Sequence, residues 1–144
     1  MNTTETKREN VDLLNDQFRK LGYMTLSRKF GRYLPEPEKV GDFQVDIIAK
    51  HKNNYAIGLI VGSDELKDVN LLQKISYLAQ RRTKYSNLPV MLFIGVHSEH
   101  YKYLKTLINT LDTQIQKNIR VFKISPLKSA KHVRDRNFRS PLFS

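Results

Sequence analysis

Few residues in this sequence have the type and spacing that catalysis or metal binding requires. His97 and His100 are three residues apart, a separation that can bring two imidazoles to one zinc ion from a helix. Only Glu99 lies near them, so we interpret them as a surface pair where a loop meets a helix. The chain has no cysteine, which excludes disulfide scaffolds, thiolate zinc sites, iron–sulfur clusters and cysteine nucleophiles. Glycine-rich nucleotide loops and the Gly-x-Ser-x-Gly motif are also absent.

A group of basic and aromatic residues in the middle of the chain has the composition of a nucleic-acid contact. Arg81, Arg82 and Lys84 lie between Tyr77 and Tyr85. Cations of this kind bind phosphates, and the aromatic rings can stack on bases. The same cations at the end of a helix would complement the helix dipole. Both interpretations stay open from the sequence.

The net charge of the chain indicates a polyanionic partner. The formal net charge is +11, and residues 101–144 hold ten Lys or Arg against two Asp or Glu. Clustered cations gain affinity for nucleic acid because binding releases counterions. The alternative is a basic surface that serves only solubility. The candidate nucleic-acid-binding residues near the C-terminus are Lys128, Lys131, Arg134, Arg136 and Arg139.

The length of the chain, 144 residues, is that of one domain. We assign residues 1–125 to a single α/β domain and residues 126–144, which begin with a proline, to a basic tail. The first ten residues are polar, so we expect no secretory signal. The longest apolar run, residues 55–61, is far shorter than the roughly 20 residues of a membrane helix. These features predict a cytoplasmic protein without a membrane partner.

Hydrophobic periodicity predicts three helices. Residues 4–21 form the first, which ends at Gly22 and buries Val11, Leu14, Phe18 and Leu21. Residues 64–85 form the second, with an apolar face of Leu71, Leu72, Ile75, Leu78 and Ala79. Residues 99–116 form the third, with its inward residues being Tyr103, Leu104, Leu107, Ile108 and Leu111.

Five apolar segments predict strands, at residues 23–30, 42–50, 55–61, 90–96 and 119–124. Short turns join the first three, so we expect these strands to be antiparallel. Helices join the last three, and a strand–helix–strand crossover requires parallel strands. The predicted fold class is therefore α/β, with a mixed central β-sheet and helices on both faces.

Several segments within residues 4–124 carry a resemblance to a known family. Glu9 followed by Gly22-Tyr23 resembles a first helix that bears a Glu ahead of a Gly-aromatic turn. The segment Val45-Asp46-Ile47-Ile48-Ala49 resembles a first catalytic motif, and residues 55–61 resemble the strand that normally holds Glu-x-Lys. Gln73 and Tyr77 match a Gln-x-x-x-Tyr pattern. With the order of elements, these segments resemble the PD-(D/E)XK nuclease superfamily, whose fold is restriction-endonuclease-like, and its RecB-like branch.

The resemblance implies a metal-dependent phosphodiesterase site that this sequence only partly retains. In the family, an Asp and a Glu hold divalent cations, and a Lys two residues after the Glu assists the attacking water. Asp46 occupies the first position, but Gly58 and Ile60 fall at the Glu and Lys positions. A lone carboxylate holds Mg²⁺ poorly, so cleavage by the standard mechanism is disfavoured. The resemblance also implies a homodimer.

A second Glu-x-Lys tripeptide offers a shifted site. Glu65 and Lys67 follow Asp46 at the family spacing. In this hypothesis Asp46 and Glu65 bind the metal and Lys67 replaces the missing lysine, with further ligands from Glu9, Glu38 or Asp64. Against it, residues i and i+2 at the start of a helix do not share a face. The alternative is that Glu65 only interacts with the helix dipole.

Three functions therefore remain open, and the sequence favours the first. In the first hypothesis, the chain is a catalytically degenerate, nuclease-like homodimer that binds DNA or RNA without cleaving it and needs no cofactor. Alternatively it is a divergent endonuclease that uses Mg²⁺ or Mn²⁺ with Asp46, Glu65 and Lys67. The third hypothesis is a protein-interaction module whose binding lacks the steep salt dependence of phosphate contacts.

Overall fold

A computed structural model of the chain describes residues 3–124 as a mixed β-sheet with helices on both faces. The predicted basic residues from Lys128 to Arg139 lie outside the described residues. In chain order the elements are α1 (Thr3–Lys20), β1 (Met24–Arg28), β2 (Ile47–His51), β3 (Asn54–Val61), α2 (Ser63–Lys67), α3 (Leu71–Ala79), β4 (Met91–His97), α4 (Ser98–Ile108), α5 (Thr113–Gln116) and β5 (Ile119–Ile124).

The five strands lie in the sheet in their sequence order, with β3 at the centre. The pairs β1–β2 and β2–β3 are antiparallel, whereas β3–β4 and β4–β5 are parallel. This confirms the predicted mixed sheet: a two-residue turn joins the antiparallel pair β2–β3, and helical crossovers return the chain in the same direction for the parallel pairs. The prediction that a short turn also joins β1 to β2 is wrong, because residues 29–46 form a long connection between these antiparallel strands. All residues of β3 from Ala56 to Val61 are buried, as a central strand requires.

The first helix covers one face of the sheet and ends as predicted. Val11, Leu14 and Phe18 are fully buried against that face. The helix closes with two hydrogen bonds, from Gly22 N–H to the Arg19 carbonyl (3.0 Å) and from Tyr23 N–H to the Phe18 carbonyl (2.9 Å). Gly22 has φ +90°, so this is a Schellman cap. The prediction that Leu21 is buried is wrong: it is 49% exposed, because the helix ends before a further turn reaches the sheet.

The second predicted helix is two helices. Between α2 and α3, the Asp68 side chain accepts a hydrogen bond from Asn70 N–H (2.9 Å), an Asx turn that competes with helical backbone bonding. The apolar face of α3 is buried on the sheet face opposite α1. The helix ends at Ala79 rather than near Tyr85, because Thr83 and Leu88 close a separate loop (Thr83 N–H to Leu88 carbonyl, 2.9 Å).

The third predicted helix is also interrupted. It ends at Ile108, and the short α5 follows. The Gln116 side chain donates to the Leu111 carbonyl (2.7 Å), which stabilises the turn between the two helices. Leu104 and Ile108 are buried as predicted, but the prediction for Tyr103 is wrong, since it is 55% exposed. Tyr103 directly precedes Leu104, and neighbouring residues on a helix are rotated by about 100° from each other. Its side chain therefore lies away from the buried face.

None of the helices within residues 3–124 is both long and apolar enough to cross a membrane. The longest, α1, carries charged residues along its length, and its buried stripe is limited to one face. The apolar strand β3, which has the longest apolar run of the sequence, lies in the middle of the sheet and is covered on both faces.

Candidate functional site

Asp46 lies immediately before β2, where three hydrogen bonds fix it. Its N–H donates to the Gly58 carbonyl (2.9 Å), and its carbonyl accepts from the Lys29 N–H (2.9 Å). Its carboxylate oxygen Oδ2 accepts from the Ile60 N–H at 2.7 Å. The residue is 4% exposed. Asp46 therefore connects the segment after β1 to the central strand. Its side chain accepts the hydrogen bond of the Ile60 N–H, which β2 does not pair because that strand begins only at Ile47.

The positions that the family fills with Glu and Lys contribute no polar side chain here. A Cβ at Gly58 would lie 2.8 Å from Phe18 Cε2 and 2.9 Å from Ile47 Cβ. Ile60 is 5% exposed and packs in the same apolar cluster beneath α1. Both positions thus belong to the core between α1 and the sheet.

Three lysines from three parts of the chain act electrostatically on Asp46. Lys7 is on α1, Lys29 directly follows β1, and Lys74 is on α3; the charge of each favours the ionised carboxylate. None of the three forms an ion pair within 4.0 Å: in residues 3–124, the ion pairs are Arg28–Asp12 and His100–Glu99. Lys29 Nζ donates to the Gln44 side chain instead (3.1 Å). The lysines therefore act on the carboxylate through their charge without forming an ion pair with it. We name Lys7, Lys29 and Lys74 the lysine cluster.

Burial shifts the pKa values of the two central groups in opposite directions. Desolvation raises the pKa of Asp46, although the Ile60 N–H and the lysine cluster act against it. Desolvation lowers the pKa of Lys74, opposed by the charges of Asp46 and Glu65, while Lys29 and Lys7 lower it further. In both cases removal from water penalises the charged form more than its neighbours compensate.

The pKa of Asp46 predicts a pH-dependent stability difference between the wild type and Asp46→Asn. The asparagine oxygen can keep the bond from Ile60 N–H but does not ionise. A raised carboxyl pKa means that the stability contributed by Asp46 is complete below its ordinary pKa of 3.8 and is lost as pH rises through the folded pKa. The free energy of unfolding of the variant, relative to wild type, should therefore increase with pH across that window. Urea unfolding at several pH values measures it.

The exposed Asp64→Asn variant is the control for that comparison, because Asp64 lies on the surface of α2. It should not reproduce the pH dependence of Asp46→Asn. A stability difference between wild type and Asp46→Asn that is the same at every pH would contradict the raised pKa of Asp46.

The shifted Glu-x-Lys tripeptide is only partly assembled. Glu65 Oε1 accepts the Gly62 N–H (2.8 Å) at the start of α2, which is the helix-terminus role considered from the sequence. Glu65 interacts electrostatically with Lys74, so the lysine that faces both carboxylates is Lys74. Lys67 is exposed at the end of α2 and does not act on Asp46.

The carboxylates present fit a divalent cation poorly. Within residues 3–124, no three His, Cys, Asp or Glu side chains form a group that could hold a metal ion. Asp46 and Glu65 each bond a backbone N–H. The further ligands considered from the sequence are all exposed: Glu9, Glu38 and Asp64. The histidine pair is a surface feature, in which His100 Nε2 lies 3.4 Å from Glu99 Oε2.

The sequence predicts that the basic and aromatic group forms the end of the second helix. That prediction is wrong, because Arg81, Arg82, Lys84 and Tyr85 lie in the loop after α3. Arg81 still interacts with that end: its Nε donates to the Tyr77 carbonyl (2.9 Å), and its guanidinium is 3.8 Å from the centre of the Tyr77 ring. Arg82 donates to the Asn87 carbonyl (2.7 Å). Lys84 is exposed, and Tyr85 is 98% exposed.

The site therefore consists of one buried carboxylate and the lysine cluster, at the end of β3 nearest α2. No protein-family model matches the chain, and no curated protein matches it. Sequence analysis did not predict the lysine cluster. One signal was available for Lys74, which lies inside the Gln73–Tyr77 pattern. Lys7 and Lys29 have no local pattern, because only the tertiary fold brings them to Asp46.

Proposed function

We propose that this chain is a catalytically degenerate, nuclease-like protein that binds DNA without cleaving it. The sheet order and the positions of α1 and α3 on opposite faces support a restriction-endonuclease-like fold. The position of Asp46 at the start of β2, beside β3, supports a place in the PD-(D/E)XK superfamily.

The observation that carries DNA binding is the lysine cluster. All three lysines act electrostatically on Asp46, and one of them, Lys74, also acts on Glu65, so three ammonium groups stand against two carboxylates. None of the three forms an ion pair within residues 3–124. Because each ammonium group has three donors, donors remain for phosphate oxygens even though Lys29 Nζ also donates to Gln44. An anionic backbone gains more from such cations than a neutral partner does.

The absence of cleavage in this proposal follows from positions 58 and 60. A metal site needs carboxylates that converge on the ion, and Gly58 offers none. Ile60 is buried and cannot stabilise charge on a phosphate. Asp46 serves instead as a hydrogen-bond acceptor for Ile60 N–H, a role that needs no metal.

We further propose that the chain acts as a homodimer, an expectation that comes from the resemblance. The mass of one chain is 16.9 kDa. Sedimentation equilibrium of the full chain should give twice that mass. A monomer at concentrations that saturate DNA would contradict the dimer and leave the DNA-binding proposal intact.

The test of the proposed function measures binding and cleavage on the same samples. We expect fluorescence anisotropy to detect duplex DNA binding in EDTA, with affinity that falls steeply as salt rises. Mg²⁺ and Mn²⁺ should add no cleavage of supercoiled, linear or branched DNA. Asp46→Asn should bind DNA as well as wild type or a few-fold better, since it removes a negative charge from the lysine cluster.

Two outcomes would overturn this proposal. Metal-dependent cleavage that Asp46→Asn and Glu65→Gln abolish would make the chain a divergent endonuclease. Absence of DNA and RNA binding, or binding that salt does not weaken, would favour a protein-interaction module. Asp64→Asn is the control for the change of charge in Asp46→Asn, because it removes an equal charge from the exposed surface of α2.

A further inference from the structure

A second concave site lies at the other end of the sheet. It has a volume of about 530 Å³ and is lined by Leu21, Tyr23, His51, Met91, Phe93, Arg120 and Phe122. We name it the Arg120 pocket. Met91 and Arg120 are near the beginnings of β4 and β5, whereas Ile60, the partner of Asp46, is level with Gly95. Four residues along a strand span about 13 Å, which separates Met91 from the level of Ile60. Phe122 is level with Gly95 but lies on β5, two strands away from β3, so the pocket is displaced from the lysine cluster.

The floor of the Arg120 pocket is aromatic. The rings of Tyr23 and Phe122 each lie 5.4 Å from that of Phe93, between centroids. Phe93 stacks on Phe18 beneath it (4.6 Å) and is only 3% exposed. It therefore supports the half-buried rings of Tyr23 and Phe122 from below, and those two rings are the ones that a ligand can contact. Rings fixed in this way favour a planar ligand, because stacking then costs little side-chain entropy.

Two polar side chains of the pocket, Arg120 and His51, are held by hydrogen bonds to backbone carbonyls. Each has further nitrogen atoms that can bond a ligand. Arg120 Nη1 donates to the carbonyls of Lys117 and Ile119, both at 3.1 Å. Its Nε and Nη2 donate to no other group within residues 3–124. His51 Nδ1 donates to the Gly22 carbonyl (2.9 Å), which leaves Nε2 of the neutral ring as an acceptor.

The surroundings of the pocket are basic. Lys20 and Lys52, both exposed, are adjacent in sequence to the lining residues Leu21 and His51. No acidic residue is adjacent in sequence to any lining residue. The pocket therefore combines an aromatic floor with the fixed cation of Arg120, which complements a planar ligand that carries negative charge.

We propose that the Arg120 pocket binds a nucleotide, with the base against the aromatic floor and the phosphate at Arg120. The volume lies within the range of small-ligand sites, about 300–1,000 Å³. His51 Nε2 suits the exocyclic amine of adenine or cytosine. This inference is independent of the DNA contact proposed for the lysine cluster, because the two sites share no residue.

The test is a titration of the full chain with 5′-AMP in EDTA, followed by ¹H–¹⁵N NMR. We expect saturable shifts at the amides of Leu21, His51 and Phe122. Adenosine and inorganic phosphate, each tested alone, should bind more weakly than AMP. Arg120→Met should weaken AMP binding about tenfold, as expected for one charge-assisted hydrogen bond. Arg32→Met, at an exposed arginine in the loop after β1, should not.

Several results would overturn the nucleotide site. These are AMP shifts that are absent or centred on the lysine cluster, an affinity that Arg120→Met leaves unchanged, and tighter binding of an acidic aromatic dipeptide than of AMP. Because Arg120 is exposed, the variant should keep the wild-type spectrum away from the pocket, and Phe122→Leu provides a second perturbation of the floor. DNA anisotropy on Arg120→Met separates the proposals: unchanged DNA binding with lost AMP binding supports both.

Discussion

Placing at positions 58 and 60 the Glu and Lys that the resemblance aligns there is expected to unfold the protein rather than create a cleavage site. A Cβ at Gly58 already lies within 3.0 Å of Phe18 and Ile47, so Gly58→Ala should cost about 1–3 kcal/mol by overpacking. Gly58→Glu adds a buried carboxylate, and its cost should exceed about 4 kcal/mol. Ile60→Lys buries an ammonium where Ile60 now packs under α1. Urea unfolding followed by circular dichroism measures each variant.

Gly62→Ala is the matched control for these substitutions. The nearest atom to a Cβ at Gly62 is the end of the flexible Glu65 side chain (3.0 Å), so this change should alter the free energy of unfolding much less than Gly58→Ala. A folded Gly58→Glu, Ile60→Lys double variant that cleaves DNA with Mg²⁺ would show that the two positions face a catalytic site. It would also refute the account of them as core.

Removing the lysine cluster is expected to cause the largest loss of DNA binding among surface changes of equal charge. The triple variant Lys7→Met, Lys29→Met and Lys74→Met removes three cations that surround Asp46, and methionine retains an apolar stem where the lysines are partly buried. At about 0.1 M salt, the affinity of this variant for DNA should be at least about tenfold lower than that of the wild type. The slope of log K against log salt should decrease in magnitude by about 2.7, because each phosphate contact contributes about 0.9.

A second triple variant separates this site from general electrostatics. Lys102, Lys105 and Lys117 lie on or beside α4 and α5, away from Asp46, and their replacement by methionine changes the net charge equally. That variant should lose much less affinity than the first. Equal losses from the two would mean that DNA contacts the chain through diffuse charge rather than through the lysine cluster.

Much of the fold could be predicted from the sequence because local signals determined it. The apolar spacing of Val11, Leu14 and Phe18 and the stop at Gly22 predicted α1. The short turn between β2 and β3 predicted an antiparallel pair, and the helical connections predicted the parallel pairs. The short turn expected between β1 and β2 was wrong, because residues 29–46 join them. Helix interruptions were missed because they depend on side-chain bonds to backbone, such as the Asp68 bond to Asn70 N–H. Those bonds compete with helix formation without changing the apolar spacing.

The candidate site was less predictable than the fold. Asp46 was identified because Val45-Asp46-Ile47-Ile48-Ala49 resembles the first catalytic motif of the PD-(D/E)XK nucleases. The lysine cluster was missed because its members come from α1, the loop after β1, and α3, and no linear pattern joins them. The hypothesis that Lys67 replaces the missing lysine stays a prediction. Lys74 is the lysine whose charge acts on both Asp46 and Glu65. The Arg120 pocket likewise joins residues from three strands and the turn after α1.

The hydrogen bond between Asp46 and Ile60 has a consequence for selection during evolution. The carboxylate bonds a buried N–H of the central strand, and losing that acceptor would leave the group unpaired at a cost of about 1–3 kcal/mol. Purifying selection for stability alone would thus retain an acceptor at position 46. An aspartate there in related sequences would therefore be no sign of an active enzyme. Charged residues at positions 58 and 60 would carry more information, because packing alone does not favour charges inside the core.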